Sequence, residues 1–280
     1  MHKHRPYYTY FRNKLKKLKL LDNLLMSGIN LNRVRRARVA LKELNAFPDL
    51  SREILFDYSY SIKHTHRSIS QVLNIEAAIH HLAENNIMGA LVETGVFTGG
   101  CSAYILRSAM RNLSNDLDKF SFWGFDSFEG MPSPTHHDGD HGHEWIYGKG
   151  HYEVREKSEL VGHNTNIADF DLTMQYLKET NFLPDNLNLV KGWFQHTLPV
   201  HKDQIGPIAL LRLDGDFYDS TITVLEHLYE QVVPGGLIII DDYGAFEGCK
   251  KAVDEYLYKH RANVNLIYVD NSIRYFIKPK

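Results

Sequence analysis

Short apolar runs alternate along this chain with longer stretches whose apolar residues recur every three or four positions. The runs predict strands near residues 89–93, 120–126, 187–191, 207–213, 235–241, 264–269 and 272–277. The helical spacing predicts helices near 12–26, 31–45, 67–86, 100–113, 166–180, 220–232 and 247–260. Strand alternating with helix implies an α/β fold with a mostly parallel, doubly wound, seven-stranded sheet. The closing stretch NLIYVDNSIRYFIK has turn residues at Asp270-Asn271 and reads as a hairpin, which puts one antiparallel strand at the sheet edge. Residues 1–62 read as an N-terminal helical extension and 63–280 as the α/β domain.

Two of the apolar runs end in acids. LLRLDGD delivers Asp214 and Asp216, and LIIIDDYG delivers Asp241 and Asp242. In an open α/β sheet ligands bind beyond the carboxyl ends of the strands, so these side chains are expected to converge on one crevice. Crowded carboxylates repel one another unless a cation neutralises them, and hard oxygen donors suit Mg²⁺, Ca²⁺ or Mn²⁺ better than zinc. Asp214, Asp241 and Asp242 are therefore expected as metal ligands. Asp216, just ahead of a helix, is expected to cap its amides.

A second constellation lies upstream. GALVETGVFTGGCSAYIL reads as strand, acid, glycine-containing turn and helix, where glycines let the backbone approach a ligand and free helix amides face it. It departs from the dinucleotide fingerprint because Glu93 and Thr94 stand where the first glycine would be. An acid there would repel a pyrophosphate and welcome a cationic amino-acid head group. About 30 residues on, SFWGFDSFEGMP ends a strand at Asp126, where a ribose-binding acid belongs in this architecture.

LVETGVFTGG (91–100), GFDSFEGMP (124–132), KGWFQHTLP (191–199), LRLDGDFYDST (211–221) and PGGLIIIDDYGAFEGCKKAV (234–253) together resemble the macrocin O-methyltransferase family. Its members are S-adenosylmethionine-dependent sugar methyltransferases of bacterial natural-product pathways. The resemblance implies a Rossmann-like class I methyltransferase fold, with Glu93 and Gly95 flanking the methionine moiety and Asp126 taking the ribose hydroxyls. Ser127 would lie beside that ribose, Gly192 and Trp193 would line the adenine side, and Thr65, Thr94 and Gly99 complete the expected cofactor set. Asp214, Asp241 and Asp242 would bind Mg²⁺. The chain has Phe97-Thr98 where members often have Trp-Arg, and His196 in place of an acid. Residues 1–60 and 133–165 match poorly, so the resemblance leaves the acceptor open.

Composition narrows the function classes. A chain of 280 residues with 43% hydrophobic content can bury a full core, and a net charge of −2 argues against a generic nucleic-acid binder. Cys101 and Cys249 are too few for a disulfide framework, which fits a cytoplasmic enzyme. No apolar run approaches the ~20 residues of a membrane span. Charge is uneven, however: residues 1–42 hold twelve Lys or Arg and one acid, Asp22. That arm is expected either to pack on the body or a second subunit of a homo-oligomer, or to touch an anionic membrane surface peripherally.

The stretch SPTHHDGDHGHEWIYGKGH (133–151) interleaves His136, His137, His141, His143 and His151 with acids. Its length and glycines predict a mobile lid over the acceptor, with His141 or His143 serving proton traffic; the spacing matches no standard zinc signature. The expected reaction is in-line methyl transfer to the hydroxyl of a sugar or small-molecule glycoside, with Asp214 as both metal ligand and base. The rival readings are a nicotinamide-dependent oxidoreductase on the same sheet and a non-catalytic partner protein. Glu93 and the carboxylate doublet speak against the first, and the intact acidic set against the second.

Overall fold

A computed structural model describes residues 51–65 and 68–279. The helices expected near 12–26 and 31–45, and the basic arm that carries them, lie outside the described residues.

Seven strands form one sheet in the order β3-β2-β1-β4-β5-β7-β6. Strands β1 (Ala90–Thr94), β2 (Phe122–Asp126), β3 (Leu187–Lys191), β4 (Ile208–Leu213) and β5 (Val232–Ile240) run parallel. Strand β7 (Arg274–Ile277) is antiparallel between β5 and the edge strand β6 (Ile267–Tyr268). This is the Rossmann-like, doubly wound α/β architecture that the alternation of patterns predicts. Strands covered on both faces are apolar almost throughout, and Ile208–Leu213, with Arg212 as its exception, and Leu237–Ile240 are almost wholly buried. Each such Leu or Ile contributes roughly 1.5–3 kcal/mol by leaving water.

The chain steps from β1 outward to β2 and β3 and then returns to β4 and β5 on the other side, so the switch point lies between β1 and β4. A crevice opens there, beyond the strands' carboxyl ends. Among the described residues the α-helices are α1 (Arg52–Ser61), α2 (Ile69–Glu84), α3 (Gly100–Asn112), α4 (Gly139–Tyr147), α5 (Phe170–Lys178), α6 (Phe194–Ile205), α7 (Tyr218–Leu228) and α8 (Glu247–Lys259), of which α3, α6 and α7 line the crevice. Helices α1 and α2 pack on α3, while α6 and α8 pack on α7.

Three of these helices escape the sequence pattern. Helix α1 carries the buried Asp57, paired with Arg107 and with Arg111, so its inner face is not apolar. Helix α6 contains Pro199, which removes a backbone donor and ordinarily marks a helix end. Helix α4 lies inside the stretch expected to be an open loop. The edge strand is also shorter than the expected 264–269, because Val264 and Leu266 pack against the core outside the ladder. Its turn forms as predicted, with Asp270 Oδ1 accepting from the amides of Ser272 (2.9 Å) and Ile273 (2.8 Å). No helix among the described residues is long and apolar enough to cross a membrane.

Candidate active site

The acids at the ends of β4 and β5 do meet. Asp214, Asp216 and Asp242 each offer a carboxylate oxygen, and these atoms lie within 4.8 Å of one another. Asp242 is buried and the other two are half-buried. The structure thus adds Asp216 to the group and turns Asp241 aside: Asp241 Oδ1 lies 2.5 Å from Arg212 Nη2. The capping role expected of Asp216 is not observed. Helix α7 has Phe217 at its cap position with no side-chain bond, and the amide of Tyr218 donates instead to Asp138 Oδ1 at 2.7 Å. Asp216 sits at φ 53, a left-handed conformation that costs a non-glycine residue energy, and its amide donates to Asp242 Oδ2 at 3.3 Å.

Arg212 ties this group to β1. Glu93 and Arg212 are opposite one another in the parallel ladder, and Arg212 Nη1 donates to Glu93 Oε1 at 2.7 Å. Arg212 Nη2 also lies 3.0 Å from Asp214 Oδ2. Both Glu93 and Arg212 are buried, so the fork joins carboxylates from three strand ends in a dry environment. Burial pushes the Glu93 carboxyl up to about 7 against the pull of Arg212, and the Ser102 hydroxyl donates to its other oxygen. Glu93 is therefore engaged behind the crevice rather than presented to a cationic head group. A guanidinium inside an apolar strand was the available signal, since a buried cation requires acidic partners.

One cavity spans the crevice. Of the expected cofactor residues, Thr65, Gly95, Asp126, Ser127 and Trp193 line it, together with Arg212, Asp214 and Asp216. Glu93, Thr94, Gly99 and Gly192 stand outside its lining and shape the backbone behind it. Gly99 forms the left-handed cap of α3, and the Gly192 amide donates to the Asp126 carbonyl at 2.8 Å. Gly95 has no room for a side chain: a Cβ there would lie 2.0 Å from the Asp214 carbonyl oxygen. Asp126 Oδ2 accepts from the Phe97 amide (2.8 Å) and Oδ1 from the Phe128 amide (2.7 Å), so it braces two turns while facing the cavity. Burial raises its carboxyl above the ordinary value, the two amides opposing that shift. His64, Cys101, Met131, Asn166 and Gln195 also line the cavity; they come from segments far apart in the chain, which no local motif brings together.

The histidine-rich stretch is built differently from the mobile lid that its composition suggests. Asp138 is buried, and its Oδ2 accepts from both the amide (2.6 Å) and the hydroxyl (2.9 Å) of Thr135 while Oδ1 takes the Tyr218 amide. One carboxylate thereby nails the stretch to the start of α7, and α4 continues from it. His143 is buried with Nδ1 and Nε2 each 2.8 Å from a carbonyl oxygen, of Gly139 and Glu153, so both nitrogens are taken up by the backbone, and the residue does not line the cavity. His141 is exposed and packs its ring against Phe246 at 5.1 Å, and Trp145 packs on the same ring at 5.9 Å. Among the described residues the metal-competent group is the acid trio alone, and no histidine joins it.

Comparison with known proteins converges on one family. The model of the macrocin O-methyltransferase (TylF) family matches residues 9–278. Demethyldecarbamoylnovobiocin O-methyltransferase of Streptomyces niveus is 33% identical over 208 residues, covering 74% of this chain and 72% of the relative. Mycinamicin III 3''-O-methyltransferase of Micromonospora griseorubida is 29% identical over 225 residues, covering 80% and 82%. Among solved structures, the O-methyltransferase NovP superposes with a TM-score of 0.64 at 29% identity, over 78% of this chain and 83% of that one. With its motifs in order and its acids gathered at the switch point of a class I methyltransferase sheet, the chain belongs to the macrocin O-methyltransferase family and is an O-methyltransferase.

Proposed function

We propose that the protein transfers a methyl group from S-adenosylmethionine to a hydroxyl of a sugar or glycosylated small molecule, with Mg²⁺ at the acid group. The observation that carries this reading is that Asp214 and Asp216 lie on the wall of the same cavity as Gly95 and Asp126. The groups present fit both partners: oxygen donors of a hard-cation site within 4.8 Å of one another, and a ribose-type acid beside a glycine that admits no side chain. When bound, S-adenosylmethionine supplies the activated methyl and Mg²⁺ supplies Lewis acidity that makes a sugar hydroxyl a better nucleophile.

The chain's own residues then have distinct tasks. Asp126 takes the ribose hydroxyls and Trp193 flanks the adenine side. Asp214 and Asp242 would carry the ion, with Asp241 holding Arg212 behind them. Proton removal was expected of Asp214, but the Arg212 guanidinium 3.0 Å away weakens it as a base. We assign the proton to Asp216, whose strained backbone sets its carboxylate in the group. A glycoside acceptor is supported by the names of relatives, among them the tetracenomycin rhamnosyl 4'-O-methyltransferase of Streptomyces olivaceus, 32% identical over 210 residues.

The test is incubation with labelled S-adenosylmethionine and a glycoside library, with and without Mg²⁺. Label entering a sugar hydroxyl only when Mg²⁺ is present supports the reading. Label appearing on nitrogen, or transfer indifferent to the ion, refutes it.

A further inference from the structure

The wall of the cavity at His64 and Thr65 belongs to neither the sheet nor the glycine turn. It is a strap that leaves α1, passes through a single 3₁₀ turn at Ile62–His64 and lies across the start of α3. The His64 carbonyl accepts from the Thr98 hydroxyl at 2.9 Å and lies 2.3 Å from where a Cβ on Gly100 would stand. Thr65 Oγ1 meets Cys101 Sγ at 3.3 Å. The strap therefore forms this wall by backbone contact that leaves no space for even a methyl group at Gly100.

What pins the strap is an aromatic stack that runs from the cavity-lining His64 outward. The Tyr176 ring on α5 lies 3.9 Å from the His64 ring at 25° and 5.0 Å from the Tyr60 ring at 13°. The two tyrosines also exchange hydrogen bonds, Tyr176 Oη donating to the Tyr60 carbonyl at 3.0 Å and Tyr60 Oη to the Tyr176 carbonyl at 3.4 Å. One turn earlier on the same helix, the Thr173 hydroxyl donates to the carbonyl of Phe97, in the turn that Asp126 braces, at 3.4 Å. Helix α5 thus grips the strap with Tyr176 and the glycine turn with Thr173, while Tyr176 itself is absent from the cavity lining.

We propose that Tyr176 is a positioning residue that clasps the strap over bound cofactor and sets the rate at which cofactor leaves. The inference rests on S-adenosylmethionine being the cofactor. A ligand lying against Thr65 and Cys101 is covered on that side by the strap, and lifting the strap separates His64 from Tyr176, whose stack with Tyr60 holds the end of α1 from which the strap leaves. Losing both aromatic contacts should speed release on the order of tenfold, a change of about 1.4 kcal/mol.

The experiment measures dissociation of S-adenosylhomocysteine by competition in stopped flow, alongside hydrogen exchange of residues 52–65. Tyr176→Ala should release ligand on the order of tenfold faster and lose the protection that ligand gives those amides. Tyr176→Phe keeps the stack and should remain within about threefold of the original protein, a rescue that a loss of general stability would not produce. Tyr60→Leu breaks the same stack from the strap side and serves if the α5 variant does not fold. Release within about twofold of the original in both Tyr176→Ala and Tyr60→Leu would overturn the clasp. Failure of S-adenosylhomocysteine to bind the unaltered protein would instead overturn the cofactor assignment.

Discussion

Glu93 and Arg212 face each other across β1 and β4 and share a hydrogen bond of 2.7 Å with neither residue reaching solvent. The pair lies directly behind the crevice, so the charge on Glu93 bears on the stability of the floor on which the acids stand. Its carboxyl, ordinarily at 4.5, is held near 7 because burial disfavours the ionised form. A raised acid contributes stability that is fully present below its unfolded value and is lost as pH rises through the folded one. Glu93 should therefore make the ligand-free protein progressively less stable between about pH 4.5 and 7. Glu93→Gln should flatten that slope in thermal melts across the same window. An unchanged slope would show that Glu93 stays ionised throughout.

Asp138 anchors the histidine-rich stretch through three hydrogen bonds, two of them within Thr135–Asp138 and one to Tyr218. Asp138→Ala strands buried amides and should cost roughly 2–4 kcal/mol in denaturant melts. It should also make proteolysis within 139–151 faster, as the stretch is freed from α7. Equal cleavage in both proteins would mean that α4 is held by its other contacts alone.

Metal binding can be read without an acceptor. Mn²⁺ should bind as a stand-in for Mg²⁺, and Asp242→Asn, which keeps shape but loses charge, should weaken it by roughly 10–100-fold in paramagnetic titrations. A single unaltered Mn²⁺ affinity in that variant would place the ion elsewhere. Excess chelator should abolish methyl transfer, and full turnover under chelation would leave the acids with proton chemistry only.

The division of labour between Asp214 and Asp216 is also separable. Asp216→Asn should lower kcat by roughly 10²–10⁴ while leaving S-adenosylhomocysteine affinity within error, as removal of a base does. If Asp216→Asn retains kcat and Mn²⁺ affinity alike, the proton belongs to Asp214.

Much of this layout was legible in the chain. The mostly parallel, doubly wound class of the sheet follows from alternating patterns, and the acids at the ends of β4 and β5 were placed by the rule for strand ends alone. What was not legible depended on partners distant in sequence. Asp216 looked like a helix cap because its local context is a cap context; the carboxylate of Asp138, 80 positions from the Tyr218 amide it accepts from, took that role. Glu93 looked like a ligand for a cation because the cation it binds, Arg212, lies 119 positions on. Asp57 hid α1 by making its buried face charged, and Pro199 hid α6. The histidines of 133–151 suggested motion and proton transfer by composition, whereas His143 spends its ring on carbonyls within a helix-bearing segment.

Gly95 lies so close to the Asp214 backbone that the turn proposed to carry the cofactor and the turn proposed to carry the metal ligand share one wall. Under the proposed function, the distance between methyl donor and ion would then be set by the scaffold rather than by either ligand. Of residues 133–168 only Asn166 lines this cavity, so under the proposed function that segment could be rebuilt for new acceptors. The reaction centre would carry over intact, as a fixed gauge against which each new sugar must be cut to length.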